Sequence, residues 1–208
     1  MTTLRVAHIN PSSYVDGPGQ RAVLYLQGCP IRCGGCQSPG LWPADGGTEM
    51  DVSEVAAKLL DTGLPVTISG GEPLAQAQGV AELLIELRIQ RPDLHVVVYT
   101  GFVFGDILDT LVLANPGTIS ILFEADVLVD GPFQPEDDHD WVQWRGSSNQ
   151  RPIDMRSTFK ATHGPLTLLD WDTQTVTVTA DGDVVGTAGM MDELFDKPGP
   201  TRMCGQVD

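Results

Sequence analysis

The sequence has no long hydrophobic stretch. No apolar run approaches the roughly 20 residues that a membrane-spanning helix needs. The first residues, Met1-Thr2-Thr3-Leu4-Arg5, also lack the apolar region of a secretory signal peptide. We therefore expect a cytoplasmic protein with reduced thiols and no membrane partner.

Positive charge is also scarce. The 208 residues include 12 Lys and Arg against 28 Asp and Glu, which gives a formal net charge of −16. Such an acidic surface repels the phosphates of nucleic acids and the anionic head groups of lipids. We therefore expect no nucleic-acid partner.

Cysteine is rare and unevenly placed. Three of the four cysteines, Cys29, Cys33 and Cys36, form a C-x3-C-x2-C group, while Cys204 lies near the end of the sequence. This arrangement is not a disulfide framework, and it indicates a metal or cluster site. Three thiolates on a four-iron cluster leave one iron open for a substrate or cofactor. A structural zinc site completed by Cys204 is the alternative that spacing leaves open, although a thiol without a ligand role is the simpler interpretation of Cys204.

The chain does contain a regular alternation of strands and helices. With 41% hydrophobic residues, it can fill one ordinary core. Apolar runs predict strands, and apolar residues at helical spacing predict helices between them. The predicted strands cover 4–9, 21–27, 66–69, 96–99 and 127–129, and the predicted helices begin at Asp51 and cover about 75–89 and 106–114. This order predicts a parallel α/β sheet.

Four motifs directly follow predicted strands. They are the cysteine loop, Gly70-Gly71-Glu72-Pro73, Thr100-Gly101 and Asp130-Gly131. The carboxyl ends of parallel strands lie at one edge of a sheet, and α/β proteins bind their ligands there. We therefore expect these motifs to converge on one site.

Several motifs together resemble the radical S-adenosylmethionine (SAM) enzymes. They are Asp16-Gly17-Pro18-Gly19, Leu26-Gln27-Gly28-Cys29, the C-x3-C-x2-C group and Ser69-Gly70-Gly71-Glu72-Pro73. Three later segments are similar, more narrowly, to the activating proteins of anaerobic ribonucleotide reductases, which install a glycyl radical on a partner. These segments are Tyr99-Thr100-Gly101, 127–133 and 144–151, so the resemblance covers roughly residues 5–156.

The resemblance implies a set of cofactor-binding residues. Cys29, Cys33 and Cys36 would bind three irons of a [4Fe-4S] cluster, and the fourth iron would chelate SAM. Seven further residues would bind or approach SAM: Ser69, Gly70, Gly71, Glu72, Pro73, Thr100 and Asp130. Glu72 would accept a hydrogen bond from the SAM ammonium, and positions such as Thr100 and Asp130 could help to bind a monovalent cation. No catalytic residue is implied beyond the cluster and SAM.

The resemblance also implies an activity and a fold. An external one-electron donor such as flavodoxin or ferredoxin would reduce the cluster, SAM would be cleaved to a 5′-deoxyadenosyl radical, and this radical would abstract a hydrogen from a glycine of a glycyl-radical enzyme. The fold implied is an incomplete TIM-like β/α barrel of the radical SAM type, open to a loop of the partner. A radical SAM enzyme that modifies a small molecule or peptide is the second hypothesis, and a non-catalytic iron–sulfur or zinc module is the third.

The pattern changes after Arg156. We expect residues 1–156 to form the radical SAM core and residues 157–208 to form a β-rich C-terminal extension packed on it. Strands at 166–171, 175–179 and 184–185, the last preceded by an Asp-Gly turn, predict antiparallel pairing, and a short helix is predicted over Met190–Phe195. The Arg145–Arg151 segment, dense in hydrogen-bond donors, is expected to touch SAM or the partner, without a role for each residue.

Overall fold

A seven-stranded sheet lies at the centre of the larger unit of the protein. The computed structural model describes residues 2–160 and 166–172 and two short strands at 176–178 and 184–186, and its larger unit is Met1–Leu169. The strands of the sheet are β1 Thr3–Ser13, β2 Arg21–Leu26, β3 Thr48–Asp51, β4 Val66–Gly70, β5 Val96–Tyr99, β6 Val127–Asp130 and β7 Arg151–Asp154. Their order across the sheet is β3-β1-β2-β4-β5-β6-β7.

The sheet is mixed, and the prediction of a parallel sheet is correct only for its centre. β2, β4, β5 and β6 pair in parallel. β1 pairs antiparallel with both β2 and β3, and β7 pairs antiparallel with β6. β1 reaches β2 through the turn at 14–20, which is too short for the crossover that parallel neighbours need. The incomplete TIM-like barrel stays a prediction.

Helices connect the parallel strands, and one further helix follows β7. They are α1 Val52–Leu60, α2 Ala77–Gln90, α3 Phe104–Asp106, α4 Val112–Ala114, α5 Gly117–Glu124 and α6 Met155–Lys160, with a π-helical turn at Ile107–Leu111 and a 3₁₀ turn at Pro73–Gln76. The predicted helix over 75–89 therefore begins slightly later as a regular α-helix, since Pro73 starts a 3₁₀ turn first. Among the residues that the structure describes, no helix is both long and apolar enough to span a membrane.

The hydrophobic core lies between these helices and one face of the sheet. Successive parallel strands contribute Leu24, Ile68, Val98 and Leu128, and α2 contributes Val80, Leu83, Leu84 and Leu87. Alternate residues of a strand point to opposite faces. The other face therefore carries Tyr25, Thr67, Ser69 and Tyr99 beside the fully buried Val23, Val97 and Val129. We call it the polar face. The helices cover one side of the sheet and leave the polar face to the loops.

A second unit begins at Asp170. Within it, β8 Val176–Val178 pairs antiparallel with β9 Val184–Gly186. The strand predicted over 166–171 is wrong, because Leu168 makes only an isolated bridge with Ile153 of β7. The helix predicted over Met190–Phe195 and the thiol of Cys204 lie outside the described residues. The division of the chain after Arg156 stays a prediction.

Candidate functional site

The chain that follows β4 crosses the carboxyl end of β2. Gly71 N donates to Leu26 O (2.7 Å), and Glu72 N donates to Gly28 O (2.9 Å). A Cβ atom on Gly70 would lie 2.3 Å from Leu26 N, and one on Gly71 would lie 2.3 Å from Gly28 O. Both positions therefore need glycine, because any side chain would collide with the main chain of the cysteine loop or of β2.

Glu72 joins the carboxyl ends of β4 and β5. Its side chain is 1% exposed, and it accepts from Leu74 N (2.9 Å), Thr100 Oγ1 (2.8 Å) and Gly101 N (2.9 Å). Burial raises the pKa of Glu72 to about 7, although the three hydrogen bonds oppose this rise. A carboxylate offers about four acceptor positions, so one acceptor position remains for a ligand. Its predicted contact with the SAM ammonium stays a prediction.

Asp130, the last residue of β6, is bound by protein donors on both carboxylate oxygens. It is fully buried and accepts from Phe104 N (2.7 Å) and from Arg151 Nε (2.9 Å). Arg151 Nη2 makes a second, short hydrogen bond to the same carboxylate. Such bidentate pairs are the stronger kind of ion pair, and donation to the Asp130 carboxylate raises the pKa of Arg151. The structure therefore shows Asp130 as a partner of Arg151, and its approach to SAM stays a prediction.

The cysteine loop, residues 27–43, is closed at its base. Gly28 N donates to Leu41 O (2.8 Å), and Cys29 N donates to Trp42 O (3.1 Å). The buried Gln27 side chain donates to the carbonyl oxygens of residues 40 and 43. These bonds fix both ends of the loop, and they give Gln27 a role in the site that its motif did not reveal.

The three thiols lie half-buried in this loop. Burial raises the pKa of the Cys33 thiol, and the nearby Cys29 and Cys36 thiols add to the rise, while a hydrogen bond from the main chain of Phe133 opposes it. Among the described residues, no group of three or more His, Cys, Asp or Glu converges on a site for one metal ion. A four-iron cluster takes its thiolates on separate irons, so three close but separate thiols fit a cluster better than a single ion.

Two glycines allow the cysteine loop to pack closely on the segments that follow β5 and β6. A Cβ atom on Gly101 would lie 2.6 Å from Ile31 Cδ1, and a Cβ atom on Gly35 would lie 2.8 Å from Pro135 Cγ and 3.4 Å from Phe133 Cε1. The loop therefore packs on the turn after β5 and on the segment after β6. The structure therefore brings the cysteine loop, the 70–73 motif and Thr100-Gly101 into contact. Asp130 itself does not touch the cysteine loop in these contacts, but the segment that follows it does.

The Asp16-Gly17-Pro18-Gly19 turn lies at the opposite end of the parallel strands. Arg21 is 2% exposed; it donates to Thr67 Oγ1 (2.7 Å) and Val66 O (2.5 Å), and Thr67 Oγ1 donates to Asp16 O (2.8 Å). Burial lowers the pKa of Arg21 to about 10. The turn is therefore fixed to β4 by a buried cation, a contact that the sequence motif did not show.

Tyrosines on the polar face link this turn to the 144–151 segment. Burial raises the pKa of Tyr25, and the Asp16 carboxylate, which accepts from the Tyr25 hydroxyl, adds to the rise. The Tyr99 hydroxyl donates a short hydrogen bond to Trp144 O, and Trp144 Nε1 donates to Tyr14 O (3.2 Å). Ser69, paired with Tyr25 across the strands, lies on the same face. The polar face therefore carries a set of hydrogen-bonded side chains.

Comparison with known proteins decides the family. The family model described as the 4Fe-4S single cluster domain matches residues 15–153. The anaerobic ribonucleoside-triphosphate reductase-activating protein of Vibrio cholerae is 31% identical over 148 residues, which are 67% of this chain and 91% of that protein. The chain belongs to the radical SAM activating proteins of glycyl-radical enzymes. This membership confirms the resemblance seen in the motifs, and it makes the chain an enzyme that uses a [4Fe-4S] cluster and SAM.

Two other relatives agree with this assignment. The activating protein of the same name from Enterobacteria phage T4 is 31% identical over 149 residues, which are 69% of this chain and 89% of that protein. The pyruvate formate-lyase-activating enzyme of Clostridium pasteurianum is 36% identical over 110 residues, which are 49% of this chain and 45% of that enzyme. The activase family therefore includes relatives named for two different glycyl-radical enzymes.

Proposed function

We propose that the protein installs a glycyl radical on a partner enzyme of the anaerobic ribonucleotide reductase type. The observation that carries this proposal is the set of three half-buried thiols held at the carboxyl edge of the parallel strands, in a chain of the activase family. When bound, the cluster and SAM supply a 5′-deoxyadenosyl radical, which abstracts a hydrogen atom from a glycine Cα of the partner.

Cys29, Cys33 and Cys36 would hold three irons of the cluster, and the fourth iron would be left for SAM. The hydrogen bonds of Gly28, Cys29 and Gln27 keep both ends of the loop that carries the thiols in place. No side chain separates the main chain of Gly70 and Gly71 from the loop, and Glu72 offers its remaining acceptor position to the SAM ammonium.

Thr100 and Asp130 serve mainly as supports. Thr100 donates to Glu72 and so orients its carboxylate. Asp130 is the weaker candidate for a monovalent cation, because Phe104 and Arg151 already donate to both of its oxygens. In this proposal SAM lies beside Glu72, and a monovalent cation is not required.

The electron comes from outside the chain. Three of its four cysteines are assigned to one cluster. The one remaining cysteine cannot hold a second cluster that would relay electrons to the first. An external one-electron donor of the flavodoxin or ferredoxin class therefore reduces the site. Such a donor and reduced thiols support a cytoplasmic location for the protein, which we include in the proposal.

The fold proposed for this chemistry is an incomplete β/α barrel. Four parallel strands with helices on one face support it. In this proposal a loop of the partner reaches the thiols at the carboxyl edge of these strands.

Anaerobic reconstitution tests the proposal. The protein is loaded with iron and sulfide, supplied with SAM and dithionite, and assayed for 5′-deoxyadenosine with and without a glycyl-radical reductase from the same genome. Cleavage of SAM together with a glycyl-radical doublet in the electron paramagnetic resonance (EPR) spectrum of the reductase is expected. Cleavage without a radical on the reductase would favour a small-molecule or peptide substrate, and no cleavage would contradict the enzyme assignment.

Single cysteine variants assign the ligands in the same assay. Cys29→Ala, Cys33→Ala and Cys36→Ala are each expected to abolish SAM cleavage, because each removes one of three iron ligands. Cys204→Ala is the matched control and is expected to retain cleavage. Loss of the cluster in Cys204→Ala would contradict the assignment of three ligands.

A further inference from the structure

Three consecutive carbonyl oxygens at the end of β2 accept hydrogen bonds from the 71–76 segment. The pairs are Gly71 N with Leu26 O (2.7 Å), Gln76 Nε2 with Gln27 O (2.9 Å) and Glu72 N with Gly28 O (2.9 Å). Two of these donors belong to the main chain, and the middle donor is a side chain. Gln76 is therefore the residue at which a substitution can remove one of these bonds without changing the main chain.

Gln76 also lies between β1 and the start of the cysteine loop. Val6 pairs with Leu26 in the antiparallel ladder, so Arg5 and Gln27 form the next opposite pair. Gln27 N donates to Arg5 O (2.9 Å), and in a regular ladder Arg5 N would donate back to Gln27 O. Instead, Arg5 N donates to Gln76 Oε1 (2.7 Å), and Gln76 Nε2 donates to Arg5 O (3.0 Å) and to Gln27 O. The Gln76 amide therefore replaces one ladder bond where the cysteine loop leaves the sheet.

The same side chain fixes the far end of the turn that follows Glu72. Pro73–Gln76 is a 3₁₀ turn directly after Glu72, and within it Leu74 N donates to the Glu72 carboxylate (2.9 Å). A main-chain bond to Gly28 O holds the turn to the cysteine loop at Glu72, and the Gln76 amide holds its other end. The position of the Glu72 carboxylate relative to the cysteine loop therefore depends on both attachments.

We propose that Gln76 is a positioning residue, which fixes the spacing between the SAM contact at Glu72 and the cluster held by the cysteine loop. This inference rests on the proposed function, in which one SAM molecule is held by both Glu72 and the open iron. The carboxylate and the iron can share that molecule only at one spacing, and binding at two points is sensitive to small errors of placement.

Replacement of Gln76 with methionine tests the inference. Methionine keeps the length of the side chain and removes its three hydrogen bonds. Arg5 N can then close the ladder bond to Gln27 O, which preserves the sheet and draws the base of the cysteine loop towards β1. Gln76→Glu is a second variant, which keeps the acceptor for Arg5 N and loses the donor to Gln27 O. Gln78→Met is the matched control, because Gln78 is exposed on α2 and donates to Glu82 of the same helix (2.8 Å).

The response of the cluster to SAM is the measured quantity. Each protein is reconstituted anaerobically and reduced, and its EPR spectrum is recorded as SAM is added. Without SAM, the variants are expected to give the spectrum of the parent. The SAM concentration that produces half of the spectral change is expected to rise about tenfold in Gln76→Met and Gln76→Glu, as the loss of one buried hydrogen bond predicts, and to match the parent in Gln78→Met.

Equal SAM dependence in all four proteins would overturn the inference and leave the proposed function intact. A parent cluster whose spectrum does not respond to SAM would overturn both, since the inference requires SAM at the open iron.

A measurement on the parent protein keeps the inference testable if the variants do not fold. The side-chain amides of Gln76 and Gln78 are followed by nuclear magnetic resonance in ¹⁵N-labelled apoprotein, and exchange of their hydrogens with solvent is timed. Both hydrogens of the Gln76 amide are donated to main-chain oxygens, so slow exchange is expected at Gln76 and fast exchange at Gln78. Equally fast exchange at both would overturn the inference, because the Gln76 amide would then not hold the cysteine loop.

Discussion

Replacing Glu72 with glutamine is expected to change how the stability of the protein depends on pH. Glu72 is buried, and its carboxylate accepts from Leu74 N, Thr100 Oγ1 and Gly101 N. Burial raises its pKa in the folded chain from 4.5 to about 7. Between these two values the folded chain binds a proton that the unfolded chain has lost, so the free energy of unfolding falls as pH rises and becomes level above the folded pKa.

The size of this change follows from the two pKa values. A difference between 4.5 and about 7 corresponds to about 3 kcal/mol of unfolding free energy. The amide introduced by Glu72→Gln cannot ionise, so this loss is absent in the variant. The amide nitrogen instead faces a main-chain N–H, and an unsatisfied buried donor costs about 1–3 kcal/mol. The variant should therefore be less stable than the parent near about pH 5, and the gap should close or reverse near about pH 8.

Urea unfolding of the apoprotein measures this difference directly. Parent and Glu72→Gln are unfolded across the pH range with a chelator and a thiol reductant present, and the difference in unfolding free energy is plotted against pH. Glu54→Gln is the control, because Glu54 is exposed on α1 and pairs with Lys58 (3.6 Å). Curves for parent and Glu72→Gln that stay parallel would refute the reasoning, since ionisation of Glu72 would then have no cost in the folded chain.

Two further predictions concern the supports of the site. Gly71→Ala would place a Cβ atom 2.3 Å from Gly28 O, whereas Gly34 has nothing within 4 Å of its Cβ position. Gly71→Ala should therefore lower both the iron content and the melting temperature, and the control Gly34→Ala should resemble the parent. Equal behaviour of the two variants would contradict the close approach at Gly71. Arg151→Met would leave the fully buried Asp130 without its cation and should cost about 3 kcal/mol of unfolding free energy in urea, whereas a cost below about 1 kcal/mol would show that the pair contributes little.

The centre of the site could be predicted from the sequence because strand ends are a local property. Apolar runs located β2, β4, β5 and β6, and parallel pairing brings their carboxyl ends to one edge. The contacts of Glu72 with Thr100 and Gly101 follow from that edge. Glycine at 70 and 71 likewise has a local cause, since one turn must cross β2 closely.

The edges of the sheet and the supports of the site could not be predicted in this way. β3, Thr48–Asp51, is short and polar, so it has neither the apolar run nor the alternation that indicates a strand. β7 begins at Arg151 and contains a proline, which is typical of an edge strand. Its four residues form no apolar run that would predict a strand. The bond of Arg21 to Thr67 and the bond of Arg151 to Asp130 join residues far apart in the chain. No local pattern specifies such contacts, because they arise only when the sheet is assembled.

Transfer of deuterium tests the central claim most directly. A glycyl-radical reductase is prepared with glycine deuterated at Cα and incubated anaerobically with the reconstituted protein, SAM and dithionite. The account predicts 5′-deoxyadenosine that has gained deuterium and a glycyl radical on the reductase. Deuterium-free 5′-deoxyadenosine formed while the reductase gains no radical would contradict it, because the hydrogen would then come from another source.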